Sequence, residues 1–451
     1  MEQLLGKDTG GILRMKKKKK PVRWLFCRFL FCLVLLTGFF CGSRLAEKWN
    51  GSESLAAEGV DSIVRSGPGY FGEDGELHGV WISYLTWNSL PKEEQAFQAA
   101  VDQMFDHCKS WGMNAVFVHV RSHGDAMYPS DYAPWSKFAA GIQGKSPGYD
   151  PLSYMIQSAR ARGLKFHAWF NPYRITGYQM TWDEVSADSP AKKWLTDGDT
   201  SNDRNVLQQD GSWYYNPSSE AVKQMVVGCV TEVLKKYDVD GIHFDDYFYP
   251  GVDDSLESRW FDYPEYQKSG STKTAAQWRR DQVSDLVARV YRAVKAEKPS
   301  VTFGISPQGY LGNLRSDTKL FTDIDRWLTQ DGYVDYIMPQ LYWGFEAKTS
   351  DGKKAAFAFQ ENLNAWTSLV KKGHARLYLG LAMYRAGTDV KDYNEVSEWL
   401  THEDIISRQV LAGRAGGVVS GYCFYSYESF LEQAAQKEKT HLLPLLKNND
   451  R

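Results

Sequence analysis

Apolar residues along the chain follow two alternating periods, and the alternation runs almost to the end. Eight short segments are rich in β-branched and aromatic residues: 77–84 (LHGVWISY), 114–121 (NAVFVHVR), 164–171 (LKFHAWFN), 240–247 (DGIHFDDY), 301–308 (VTFGISPQ), 334–343 (VDYIMPQLYW), 376–384 (RLYLGLAMY) and 416–427 (GGVVSGYCFYSY). Between them the period lengthens to that of a helix. Val101, Met104, Phe105 and Cys108 recur at i, i+3, i+4 and i+7, as do Val222, Met225, Val226, Cys229, Val230 and Val233, and again Leu286, Val287, Val290, Tyr291 and Val294. Eight β–α units in succession predict a parallel sheet, and right-handed crossovers of that number close it into an α/β (β/α)8 TIM barrel. An open doubly wound sheet is the runner-up, but no glycine fingerprint follows the first strand.

Connections lead to the same expectation. Helix-to-strand links are short, whereas the strand-to-helix links 122–149, 172–216, 248–274 and 309–320 are long. Long loops gathered at the C-terminal ends of strands are what a barrel's functional face requires.

Period-two alternation assigns the two faces of each strand. Val116, Val118 and Val120 share one side and Phe117, His119 and Arg121 the other; Phe166, Ala168 and Phe170 oppose His167, Trp169 and Asn171; Ile242 and Phe244 oppose His243 and Asp245. The aliphatic side is expected to pack on helices and the polar side to look into the barrel. Ser306, Gln308, Gln340 and Tyr342 then also point inward. Taken singly, each has an ordinary explanation as a hydrogen-bonded core histidine, an ion-pair arginine or a turn former. Convergence at one barrel end is different, because barrel interiors are normally filled by branched apolar residues.

Composition narrows the chemistry. The 451 residues carry a formal net charge of −2, so no basic field invites nucleic acid. Sixteen Trp and 26 Tyr suit either a large aromatic core or a cleft of flat rings stacking on sugars. Cys108, Cys229 and Cys423 stand singly and without a C-x-x-C, as buried free thiols would. Residues 1–41 join Lys16–Lys20, Arg23 and Arg28 to an apolar stretch, Phe29–Cys41. They are expected to form a cytoplasmic basic segment and a single-pass signal anchor in the cell membrane, secreted if cleaved. Counted from Trp24, the apolar run reaches about 18 residues and contains Arg28, a marginal span. Cys41 as a lipid-bearing cysteine is disfavoured by the bulky Gly38-Phe39-Phe40 before it. The expected domains are this anchor, a Gly/Ser-containing linker over 42–75, a barrel over 76–440 and a polar tail over 441–451.

The adjacent carboxylates Asp245 and Asp246 are the sharpest feature. Two carboxyl groups at one strand end can divide acid and base roles, because repulsion and burial push their pKa values apart. Consecutive residues lie too close to flank a sugar from opposite faces. Their spacing suits a substrate-assisted glycosidase, in which one carboxylate orients a 2-acetamido group and the other protonates the glycosidic oxygen. Strict alternation turns Asp246 away from the barrel, so this requires a bend at the strand end. Tyr247 begins an aromatic lip beyond it.

The stretches HGVWISYLTW, HVRSHGDAMYPSDYAPWS, YDPLSYMIQSARARGLKFHAWFNPYR, YYNPSSEAVKQ, VDGIHFDDYFYP, FGISPQG and VDYIMPQLYWGF, in this order, resemble the glycosyl-hydrolase-like family ten of bacterial envelope proteins over about residues 76–390. That resemblance implies a barrel and glycosidase activity, in some members on peptidoglycan strands stripped of stem peptides; a cell-wall glycan is the expected substrate and no cofactor is expected. By motif position it implies catalytic roles for Asp245 and Asp246. Arg121 and Asp125 match its R-x-x-G-D segment, Asn171, Tyr173 and Arg174 its NPYR, and Gln340, Tyr342 and Trp343 its PQxYW. RSHGD departs from relatives at the positions of Ser122 and His123. With the inward Trp169, His243 and Gln308 and the lip residue Tyr247, these form the expected substrate-binding set. Two other classes remain open: a metal-dependent hydrolase or deacetylase with zinc on His119, His167, His243 and Asp245, and a non-catalytic glycan-binding barrel.

Overall fold

The computed structural model describes residues 75–245, 248–250 and 260–447. The expected anchor, nearly all of the linker, Asp246 and Tyr247 lie outside the described residues. Among the described residues no helix is long and apolar enough to cross a membrane.

Among the described residues ten strands follow one another: β1 (Leu77–Ile82), β2 (Ala115–Arg121), β3 (Lys165–Phe170), β4 (Val206–Gln209), β5 (Ser212–Tyr215), β6 (Gly241–Phe244), β7 (Thr302–Ile305), β8 (Tyr336–Ile337), β9 (Arg376–Leu381) and β10 (Val419–Phe424). All but β4 and β5 close into one parallel barrel in the order β1-β10-β9-β8-β7-β6-β3-β2. The principal outer helices are α1 (Glu94–Ser110), α2 (Pro151–Ala161), α3 (Glu220–Lys236), α4 (Ala275–Glu297), α5 (Ile324–Thr329), α6 (Phe359–Val370), α7 (Ile405–Ala415) and α8 (Gln436–Lys447). Local chemistry starts several of them. Asp150 accepts from the Ser153 amide at 3.0 Å ahead of Pro151, and Ser219 accepts from the Val222 amide at 3.3 Å.

Two apolar layers result from the alternation. Val116, Val118, Val120, Ile242, Phe244, Phe303 and Ile305 are buried against the inner faces of the helices. Trp81, Phe117, Trp169, Tyr336, Met338, Tyr378 and Cys423 fill the barrel itself. Each such large apolar side chain stabilises the fold by roughly 1.5–3 kcal/mol when fully buried. The inner rings are accommodated by missing side chains: a Cβ on Gly304 would lie 2.2 Å from the Tyr336 ring, and one on Gly241 2.1 Å from His167 Nδ1. Cys108, Cys229 and Cys423 are buried free thiols, as expected.

Three details differ from expectation. The sixth barrel strand shortens to Tyr336–Ile337 because Pro339 has no amide to donate; pairing resumes at Gln340, which bridges to Gln308 and Gly380. The long link after β3 contains the hairpin β4–β5, turned by Asp210 and Gly211 at φ of 50° and 77°. Asp-Gly between alternating residues (VLQQ-DG-SWYY) is the local signal for it. Finally, the barrel does not end at 440. Helix α8 continues to Lys447 with Leu442 and Leu446 buried, so residues 441–447 are packed structure and not polar tail.

Candidate active site

Asp245 stands immediately beyond β6 and is 3% exposed. Both of its carboxylate oxygens accept N–H groups from the C-terminal end of β3 and the residue just beyond it. Trp169 Nε1 donates to Oδ2 at 3.1 Å, and Asn171 Nδ2 lies 3.0 Å from Oδ1 and 3.2 Å from Oδ2. Trp169 and Asn171 are two residues apart on one face, so the strand's own periodicity aims both donors at the same carboxylate. Asn171 is itself fixed. Its Oδ1 accepts from the amides of Arg174 at 2.8 Å and Tyr173 at 3.3 Å, closing the NPYR turn.

Behind Trp169 the His119 ring stacks at 3.3 Å between centroids and 17° between planes. The amide of Tyr84 donates to His119 Nδ1 at 3.1 Å, which leaves the proton of the neutral ring on Nε2, 3.9 Å from Asp245 Oδ2. Burial pushes the His119 pKa down to about 4, against the opposing pull of Asp245. Tyr84, which sequence alone did not single out, packs edge-on to His123 at 4.9 Å, and the Arg174 guanidinium lies 5.2 Å over its ring. Arg174 Nε donates to the Ser122 carbonyl at 2.8 Å.

Other expected site residues are placed elsewhere. Register shifts between His119 and Arg121 where β2 pairs β3, and the bulge turns Arg121 out of the barrel. Its guanidinium, 1% exposed, donates to the carbonyls of Asn171 at 2.6 Å and Pro172 at 3.1 Å and lies 5.5 Å over the Tyr215 ring. It holds the loop that carries Asn171 and does not face the cleft. Asp125 is fully buried and folds back on its own turn, accepting from the amides of His123 at 3.0 Å and Ser122 at 3.3 Å. Tyr173 belongs to the outer apolar layer. His243 lies below the rim, with Nε2 accepting from Trp81 Nε1 at 3.2 Å and Nδ1 3.0 Å from the Tyr336 hydroxyl.

Those contacts bear on the zinc reading. His243 has both ring nitrogens engaged, His167 stacks on Phe117 at 4.3 Å, and His119 Nδ1 is taken by a backbone amide. Among the described residues no three His, Cys, Asp or Glu side chains converge as a metal would require.

On the next strands Gln308 and Gln340 pair as neighbours, and Gln340 Nε2 donates to the Ser306 carbonyl at 3.0 Å. Tyr342 and Trp343 are partly exposed at the rim. Trp343 packs on Phe357 at 5.2 Å, and its carbonyl accepts from Gln409 Nε2 at 3.0 Å. Thus Asp245, Trp169, Asn171, Arg174, Gln308, Gln340, Tyr342 and Trp343 gather at the C-terminal ends of the barrel strands.

A caged carboxylate beneath a polar and aromatic rim, over the C-terminal ends of a closed parallel barrel, defines a (β/α)8 barrel of the kind that carries its site on that face. The chain belongs to the family described as glycosyl hydrolase-like 10, whose family model matches residues 76–398. It is 36% identical over 378 residues to glycosyl hydrolase YngK of Bacillus subtilis, covering 78% of this chain and 68% of that protein. To glycosyl hydrolase DigH of Escherichia coli K12 it is 35% identical over 348 residues, 70% of this chain and 75% of the relative. Among solved structures, the glycoside hydrolase domain of PgaB from Bordetella bronchiseptica superposes with a TM-score of 0.54, covering 83% of this chain and 99% of that domain. At 14% identity that likeness concerns the fold.

Proposed function

We propose that this chain is a glycoside hydrolase acting on an N-acetylated cell-wall glycan, with peptidoglycan strands lacking stem peptides as its substrate. The observation that carries this reading is the cage around Asp245. A carboxylate has about four lone-pair positions, and Trp169 and Asn171 occupy three of them with N–H donors. One acceptor position is left, which suits the N–H of a 2-acetamido group. Held this way, Asp245 acts as the fixed acceptor that turns the acetamide oxygen toward the anomeric carbon. The mobile proton then falls to its neighbour Asp246, which donates to the leaving glycosidic oxygen and later takes a proton from water. The family membership and its relatives' names support hydrolysis of a glycosyl bond. Within the same reading, residues 1–41 tether the barrel to the cell membrane with its site outside the cytoplasm, which membrane fractionation and external protease access test.

Mass spectrometry of products from purified denuded glycan strands is the deciding experiment. Cleavage that is lost in both Asp246→Asn and Asp245→Asn, with anomeric configuration retained, is expected. Binding of strands without any product from the unmodified chain would establish the non-catalytic barrel instead.

A further inference from the structure

Across the barrel mouth from Asp245 stands an aromatic wall. In the closed strand order β10 is opposite β6, reached through β7, β8 and β9 one way and through β3, β2 and β1 the other. Tyr342 follows β8, Tyr384 follows β9 and Tyr425 follows β10; all three are partly exposed. Their rings are neighbours, with centroids 5.9 Å apart for Tyr342–Tyr384, 6.2 Å for Tyr342–Tyr425 and 6.1 Å for Tyr384–Tyr425. Trp81 backs Tyr425 at 6.1 Å. The Tyr384 hydroxyl accepts from Arg385 Nε at 3.3 Å, and Arg385 is in turn bound by both oxygens of Asp392 at 2.9 Å. The wall is therefore braced from behind.

A second observation lies between the wall and Asp245, at the end of β7. Ser306 is 1% exposed, and among the described residues its Oγ has no hydrogen-bond partner; Gln308 Oε1 is likewise buried without one. Buried polar atoms without partners are rare, because each forfeits its hydration. Packing accounts for clustered tyrosines, but not for two orphaned polar atoms beside them.

We propose that Tyr342, Tyr384 and Tyr425 form the stacking wall, and Ser306 Oγ and Gln308 Oε1 the polar edge, of a subsite for one uncharged pyranose ring of the glycan. A pyranose presents apolar C–H faces and a rim of hydroxyl and amide groups, which matches flat rings on one side and orphaned polar atoms on the other. Gln308 Oε1 accepts only, so its partner is a sugar hydroxyl or an acetamide N–H. Arg385, the cation behind the wall, is engaged by Asp392, so it is not offered to a sugar carboxylate and the wall suits a neutral ring. The proposal rests on the glycosidase reading and deepens it.

The test is titration calorimetry of the full chain carrying Asp246→Asn with a β-1,4-linked tetramer of N-acetylglucosamine. Tyr384→Leu and Tyr425→Leu are expected to weaken binding roughly five- to tenfold, while Tyr425→Phe stays within about twofold, since the ring is kept. Ser306→Ala is the control against misfolding. Among the described residues its hydroxyl makes no hydrogen bond to lose, so the urea midpoint stays put while affinity falls roughly fivefold. Undiminished binding by all of these variants, with the parent binding well, overturns the subsite alone. If the unmodified chain neither binds the tetramer nor cleaves denuded strands, the glycosidase reading falls and the subsite with it.

Discussion

Trp169 reaches Asp245 from the neighbouring strand, its indole N–H donating at 3.1 Å to Oδ2 while its ring lies flat on His119. One side chain thus both holds the carboxylate and is held by a ring that cannot tilt away. Trp169→Phe keeps an aromatic ring at the stack and removes the donor, together with part of the indole's volume. A hydrogen bond to a charged group contributes about 1.5–3 kcal/mol, so under the proposed function turnover on denuded glycan is expected to fall roughly ten- to a hundredfold. The lost ring volume lowers the thermal midpoint as well, so a melting curve read alongside the rate separates the packing effect from the lost donor.

His119 gives a pH signature. Its folded pKa of about 4 lies below the ordinary value of about 6.5, so between those values the unfolded chain binds a proton that the folded chain does not. Stability is therefore lost as pH falls from about 6.5 towards 4, and the loss levels off below. Full effect is roughly 3 kcal/mol from this group. His167, pushed by burial down to about 3, adds loss in the same direction. Urea midpoints at pH 7, 6, 5 and 4 should fall less steeply for His119→Gln than for the unmodified chain; equal slopes would refute the assignment.

Asp262 and Arg279 form a fully buried ion pair, with contacts of 2.5 and 2.6 Å, and Tyr249 adds a third at 2.5 Å. Arg279 also lies 4.2 Å over the Trp260 ring. Removing one partner strands a buried charge. Asp262→Ala is expected to cost about 3–5 kcal/mol in unfolding free energy, whereas Asp238→Ala, which breaks the exposed pair with Arg160, should cost less than about 1. Parallel denaturation of the two variants reads the difference.

Gly304→Ala probes the inner layer. The added methyl carbon would sit 2.2 Å from the Tyr336 ring, which is buried and cannot give way without displacing its contact with His243. Overpacking of this kind costs about 1–3 kcal/mol, visible as a lower urea midpoint at unchanged slope.

Much of this molecule is legible along the chain. Alternation in NAVFVHVR and GIHFDDY separates valine and phenylalanine positions that face helices from ring positions that face the barrel, and the structure keeps that division. The period predicts the architecture because each strand must bury one face outward and one inward, whatever its neighbours do. Asp245, Trp169 and Asn171 were equally readable, since they continue the inward face past the strand ends.

Tertiary structure alone decided the rest. Arg121 and Asp125 belong to the same motif as the site, yet a bulge in β2 and a turn closed by Asp125 itself take them out of the cleft. Bulges depend on pairing between strands, and no local period records them. Tyr384 and Tyr425 stand at the ends of the last two strands, far along the chain from Asp245, and only barrel closure sets them across the mouth from it. The sequence by itself determined which residues face inward, because that follows from strand geometry. Which of them meet around one carboxylate was settled by closure and register, because those depend on contacts between distant segments.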